Sequence, residues 1–285
     1  MFRMLLIVIL AALLWSAAWF WGGAGNKTRI TTWISDQQQA GYDIEFSGLS
    51  QLGFPNRYDV TVQNPRLSAH QLDLDWGAEF IQIMRLSYQP NHYILIWPNS
   101  QSATINQVDL SLVHRGLRAS VVTQETGQLR LSAEASDVTV SAANDPWLTA
   151  KDIQFSIAQS AQSAQVYMQL DGVKLKDGME VENIRVMFDL TGQVFGTNGR
   201  LPHLRPNESY EVSNITLAIN DSDIDLDGWL SISFDTGLRG ALSVADIHWP
   251  KLHPLLSAAL ASDLPNSGLS QAGLTIAPRK DAPTD

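Results

Sequence analysis

Cysteine is absent from all 285 residues. That removes disulfides, thiolate nucleophiles and Cys-based zinc sites, so a body of this size must hold itself by its core and by strand pairing alone. Positive charge is scarce too. Nineteen lysines and arginines stand against 29 aspartates and glutamates, for a formal net charge of −10 and a pI near 5.0. No Lys/Arg cluster offsets this, so the surface repels nucleic-acid phosphates and disfavours lying flat on anionic headgroups. The spacings that carry chemistry are also missing: no HExxH, no G-x-S-x-G, no Walker loop and no dinucleotide fingerprint. No nucleophile–base or metal set can be assembled, and the reading is of a protein without catalysis, cofactor or metal.

Long apolar runs are absent after residue 21, but one precedes it. Residues 4–21, MLLIVILAALLWSAAWFW, contain no charge and one clearly polar side chain, Ser16. As a helix they reach about 27 Å, close to a hydrocarbon core of about 30 Å. Arg3 and the start amine favour a cytoplasmic N-terminus. Trp15, Trp19, Phe20 and Trp21 crowd the far end, where indole rings suit the membrane interface. A cleaved signal peptide is the rival, with Gly22-Gly23-Ala24 as its cleavage site, although its apolar core is normally shorter, about 7–15 residues. Either reading sends the rest of the chain out of the cytoplasm. A single-pass inner-membrane anchor with a periplasmic body is expected.

Residues 26–40 carry good helix formers and stop at Gly41, a C-cap signal, which predicts a short helix leaving the membrane. From Tyr42 the period becomes two. Residues 108–112, 129–133, 138–140, 153–157, 166–170, 186–190, 215–219, 230–234 and 242–244 each place apolar side chains at i and i+2, the pattern of strands with one apolar face. Lys176-Asp177-Gly178, Asp227-Gly228 and Asp235-Thr236-Gly237 are turn signals. Residues 250–262 read as a second helix, and residues 158–164 and 196–206 are weak internal breaks. The fold expected is mainly β. It is a long meandering antiparallel sheet, groove-like or sandwich-like, with an N-terminal transmembrane helix and one or two short helices. The organisation is 1–25 anchor or signal, 26–262 β body and 263–285 flexible tail. An apolar sheet face needs a cover, for which the helices at 27–40 and 250–262 are the candidates, and any open part would take a lipid or a partner.

Asp223, Asp225, Asp227 and Gly228 match four positions of a calcium loop, but Phe234 stands where its bidentate Glu belongs. A strand with outward Asp, inward Ile224 and Leu226, and a turn at Asp-Gly is the better account. His70, His92, His114, His203, His248 and His253 share no ligand spacing and read as isolated surface or turn residues. Asn26, Asn207 and Asn214 fit the short glycosylation pattern. The most informative stretch is 53–101. There Gly53-Phe54-Pro55-Asn56-Arg57, Trp76, Tyr88-Gln89-Pro90-Asn91 and Trp97-Pro98-Asn99 read structurally as turn corners flanked by aromatic strands. Functionally, Phe54, Arg57, Trp76, Tyr88 and Trp97 are the candidate ligand-binding residues, an aromatic rim with Arg57 meeting an anionic headgroup.

Gly53-Phe54-Pro55 with Arg57, Trp76, Tyr88-Gln89-Pro90-Asn91 and Pro98 resemble the recurring signatures of an alphaproteobacterial family, domain of unknown function 2125, along almost the whole chain. Where that family has Trp-x-Ala-Pro, this chain has Trp76-Gly77-Ala78-Glu79, losing a turn proline. The resemblance brings no catalytic residue with it. More distantly, an anchor followed by a meandering β body looks like the AsmA-like envelope proteins, whose curved sheets carry lipid in a groove. That resemblance implies an envelope protein that binds lipid acyl chains or another apolar ligand. The alternative is a non-catalytic scaffold for envelope proteins.

Overall fold

The structure is a computed structural model. It describes residues 2–69, 73–105, 107–124, 126–142, 145–192, 194–198, 201–204, 209–233, 237–245, 249–250, 252–254, 269–271 and 274–279. The N-terminal helix, α1 (Phe2–Gln39), runs unbroken for 38 residues, about 57 Å. The apolar segment and the expected exit helix at 26–40 are therefore one rod, not two elements. No proline or cap separates them. Gly22, Gly23 and Gly25 cost only about 1 kcal/mol each relative to alanine, which packing against the sheet offsets. The helix ends where its cap signal lies. Gly41 takes φ +99°, Gly41 N donates to Gln38 O (3.1 Å) and Tyr42 N donates to Gln37 O (3.2 Å), a left-handed C-terminal cap.

The body is one large open sheet, 19-stranded among the described residues, with a separate pair formed by Phe195–Asn198 and Leu201–Leu204. Its spine is a meander. Val108–Thr123, Leu129–Ala142, Asp145–Gln159, Ser163–Leu175 and Glu180–Thr191 pair in succession as antiparallel hairpins, and the last passes on to Ser209–Ile219. The alternating segments fall in strands wherever they are described, 230–234 as far as Ser233, and 129–133 and 138–140 belong to one strand interrupted at Asp137 (φ +49°). The long strand Val108–Thr123 forks the sheet, because Ser100–Ile105 pairs with its first half and His92–Ile96 with its second. One arm continues through Phe80–Leu86 and Arg57–Gln63 to Gly48–Leu52. The other continues through Leu74–Ala78 and Arg66–Ala69 to Asp43–Glu45.

Two expectations change. The sheet is mixed, since Gly237–Ala245 and Leu274–Arg279 are parallel, and such a pair requires a crossover rather than a hairpin. Asp227-Gly228 does not turn. Both residues lie inside Leu226–Ser233, and the reversal occurs at Asn220 and Asp221, each with positive φ. Ile224 is buried and Asp223, Asp225 and Asp227 are exposed, as strand alternation requires. Lys176-Asp177-Gly178 is the turn between Ser163–Leu175 and Glu180–Thr191. Residues 160–162 close another hairpin rather than divide domains. Asp235-Thr236, His70, His248, Asn207, residues 255–262 and most of 263–285 lie outside the described residues.

Both candidate covers are used. Along α1 the buried residues are Trp19, Gly23, Asn26, Ile30, Ile34 and Gln37, spaced three or four apart as a single seam. Ile30 and Ile34 close a cluster with Val60, Val62, Ile83, Tyr93 and Val121. At the other end Trp249 and Leu252, in the helical residues 249–250 and 252–254, close a second cluster over Val173, Val181, Ile219 and Val244. Asn26 is fully buried on this seam, which withdraws it as a glycosylation acceptor.

Candidate functional site

Strand register assembles what no single strand shows. Val60, Ile83, Leu95, Ala119, Ala133, Phe155, Met168, Val186, Leu217 and Ile224 are successive cross-strand neighbours across ten strands. At about 4.8 Å per strand the row is about 43 Å long. Its ends are buried, Val60 and Ile83 beneath α1 and Ile224 in the cluster under Trp249. From Ala133 to Leu217 the same row is half-exposed, and so are its neighbours Ile153, Leu170 and Ile184. The row is therefore covered at both ends and half-open between, while on one flank Ile157, Val166 and Leu190 are buried in a third cluster against which Phe155 packs. The reverse face is different in kind. One residue along, the row reads Gln82, Ile96, Arg118, Glu134, Gln154, Gln169, Arg185, with Arg118 paired to Glu134 and Arg185 to Asp221. On that side Met84, Ile94, Ser120, Ser132, Ser156 and Tyr167 line a cavity of about 700 Å³.

At the far end of the apolar segment the helix docks onto turns of the body. Trp15 Nε1 donates to Pro55 O (3.2 Å) and Trp19 Nε1 to Arg57 O (2.8 Å). Trp19 is buried, edge-on to Phe54 with ring centroids 5.4 Å apart and tilted against Tyr58 at 5.7 Å. Gly22 and Gly23 permit this approach. A Cβ on Gly22 would lie 2.2 Å from Tyr58 Oη, and one on Gly23 would lie 2.0 Å from Gln51 Nε2. The two glycines that resemble a cleavage site thus also serve as the helix's contact surface. Ser87 N donates to Asn56 O (2.9 Å), tying the turn 87–91 to the turn 53–57. Arg57 donates to the buried Asp59 carboxylate (2.8 Å). Burial pushes the Asp59 carboxyl up from the usual range, and the charge of Arg57 opposes it.

A third feature lies in the other arm. Trp76 Nε1 donates to Gln101 Oε1 (3.0 Å), and Gln101 Nε2 lies 2.9 Å from His114 Nε2. An indole N–H only donates, so Gln101 turns its oxygen to Trp76 and its NH₂ to His114. Leu117 N donates to His114 Nδ1 (3.3 Å), so donors face the ring at both nitrogens. His114 is 4% exposed and so is not the surface or turn histidine its spacing suggests. Burial lowers its pKa, and protonation would set an Nε2–H against the Gln101 NH₂. The folded-state pKa lies below the ordinary value of about 6.5, so the unfolded chain binds the proton more readily. Stability is full above that value and lost as pH falls through it. Between pH 7 and 5.5 the denaturant midpoint of the native protein should fall, with a limiting slope of about 1.4 kcal/mol per pH unit. In His114→Gln that part of the slope should vanish, and an unchanged slope would refute the assignment. Beside this chain a cavity of about 780 Å³ opens over Gly77, lined by Arg66, Ser68, Asp75, Thr104 and Asp109 among others.

The profile of a bacterial family described as "Uncharacterized protein conserved in bacteria (DUF2125)" matches residues 19–283. The chain belongs to the DUF2125 family. No curated protein and no solved structure matches it, and the AsmA-like resemblance gains no support from these searches. The DUF2125 match starts at Trp19, the first helix residue buried on the body.

Of the family-like residues, the structure brings Phe54, Arg57 and Tyr88 together on the two linked turns. It places Trp76 on the other arm and Trp97, half-buried, at the corner between His92–Ile96 and Ser100–Ile105. The five do not form one rim. Glu79, where this DUF2125 chain lacks the proline, accepts through its backbone from Asn64 N (2.8 Å), so the corner still closes. Sequence reading missed the row from Phe155 to Leu217, because each residue is ordinary within its strand and only register aligns them. It also missed the seam of α1, whose signal was present in the spacing of Trp19, Gly23, Asn26, Ile30 and Ile34.

Proposed function

We propose that this protein is a single-pass, periplasm-facing envelope protein that binds lipid acyl chains along the half-open apolar row, without covalent chemistry. The observation that carries the reading is the run Ala133, Phe155, Met168, Val186, Leu217, half-exposed between two covered ends. It belongs to the same chain as a helix apolar enough to cross a membrane, with mean hydropathy 2.3 over its best window. Burying a methylene contributes about 0.8 kcal/mol. Ten fully enclosed methylenes would give about 8 kcal/mol, a micromolar Kd. A chain lying on an open face is covered on one side, so about half of that is expected, giving exchangeable millimolar binding. That is the regime of a surface that passes lipid on rather than storing it.

Register supplies the test. Val186 and Met187 are adjacent in sequence but on opposite faces, paired with Met168 and Tyr167 respectively. The full-length protein carrying photoreactive p-benzoylphenylalanine at 186 is irradiated in lipid vesicles and its adducts are read by mass spectrometry. Lipid adducts are expected at 186 and should be at least about tenfold rarer at 187. Equal labelling at both positions, or none at 186, would sink the reading. A defined protein adduct at 186 would instead favour the scaffold.

A further inference from the structure

We propose that the body is not held clear of the bilayer by α1 but is seated in it, with the paired turns 53–57 and 87–91 immersed in the near leaflet. The proposal rests on reading α1 as a membrane span. Its basis is length. The body grips the helix from Trp15 onward through Pro55 O, and from Trp19 through Arg57 O. The helix clear of the body is therefore 2–14, about 20 Å long, against a hydrocarbon core of about 30 Å. With Arg3 at one interface, Trp15 and Trp19 stand about 18 and 24 Å above it. They and the turns bonded to them thus lie about 6–12 Å short of the opposite interface. Tilting the helix deepens them further.

The surface at that depth has the chemistry such a position demands. Leu52 is 69% exposed, Phe54 53% and Tyr88 68%, alongside Phe20 and Trp21 on the helix. These side chains are unexplained on a body standing in water, where an exposed cluster of large apolar side chains marks an interaction surface. Their neighbourhood is also nearly free of charge in a chain that carries −10. Residues 46–58 contain one charged side chain, Arg57, and residues 86–98 contain none. No carboxylate of either stretch meets the lipid. Arg57, half-exposed and anchored to Asp59, has the sign and the reach to meet a lipid phosphate at the edge of the immersed zone. The acidic remainder of the body then faces water.

The absence of native cysteine makes the test direct, because any cysteine introduced is the sole thiol. Leu10→Cys, Asn56→Cys, Tyr88→Cys and Asp177→Cys, all at exposed positions, are labelled with an environment-sensitive fluorophore. The full-length protein is placed in phosphatidylcholine–phosphatidylglycerol vesicles. Quenching is compared between nitroxides on lipid acyl chains and iodide in water. Probes at 10, 56 and 88 should be quenched by the acyl-chain nitroxides and shielded from iodide at least about threefold relative to 177. If 56 and 88 behave like 177 while 10 is lipid-quenched, the span stands and the immersion is wrong. If 10 is itself quenched by iodide, the span and the immersion fall together.

Discussion

Replacing Ile30 by alanine is expected to lower the melting temperature of the full-length protein by about 6–12 °C, and replacing it by aspartate to lower it further. Ile30 has no exposed surface and sits where α1 closes the cluster of Val60, Val62, Ile83, Tyr93 and Val121. Truncating a fully enclosed isoleucine costs about 2–5 kcal/mol, the lost transfer energy plus that of the cavity left behind. At about 2–4 °C per kcal/mol for a protein of this size, a middle value of about 3 kcal/mol gives the stated shift. Aspartate adds an unpaired buried charge to the same loss. The effect should be specific to the seam. Thr32, two residues on and exposed, should tolerate aspartate within about 0.5 kcal/mol. The apolar residues 4–21 are untouched in either variant, so the loss reports on the body's cover alone. Ile30→Asp and Thr32→Asp melting together would show that the helix is a tether lying beside the sheet rather than part of its core.

Gly228→Val is expected to be the most disruptive single change in the C-terminal half, beyond about 4 kcal/mol, and to abolish accumulation of folded protein. Gly228 pairs with Leu242 and has φ +138°, and a Cβ placed there would lie 2.0 Å from Ala241 O. That oxygen is backbone, so it cannot rotate away as a side chain would. Relief requires separating Leu226–Ser233 from Gly237–Ala245, which uncovers the fully buried Val244 and loosens the cluster beneath Trp249. Gly116→Ala separates the two causes. Gly116 also has positive φ, +68°, but nothing lies within 4 Å of its Cβ position. It should cost only the left-handed strain of about 1–2 kcal/mol. Thermal melts of the two variants decide the matter, and equal losses would mean that backbone conformation, not the close approach, dominates at Gly228.

Particular residues show how far local chemistry reaches here. The strand at 166–170 was legible because Val166, Met168 and Leu170 alternate, and alternation is a property of one chain segment. The cap at Gly41 was legible for the same reason, since a left-handed residue closing a helix is a local event. The turn at Asp227-Gly228 was misread because a glycine that signals a turn also permits two backbones to approach closely. Only the position of Ala241, thirteen residues away, tells the two apart. His114 was misread similarly. Its burial comes from Trp76 and Gln101, brought alongside by the fork of the sheet.

Composition and period by themselves determined that the protein has no disulfide or thiol chemistry, that one N-terminal helix is apolar enough to span a membrane and that the remainder is mainly β. Those properties depend on residue type and on spacing within a few positions. Tertiary structure alone decided three things: that α1 is exposed along its apolar first half and core along its second, that Phe54, Arg57 and Tyr88 lie at its docking point while Trp76 and Trp97 do not, and that ten apolar side chains align into a row half-covered along its length. Each of these is a relation between segments tens of residues apart. It is set by strand register and by the level at which the body grips the helix, and neither quantity exists until the chain has folded.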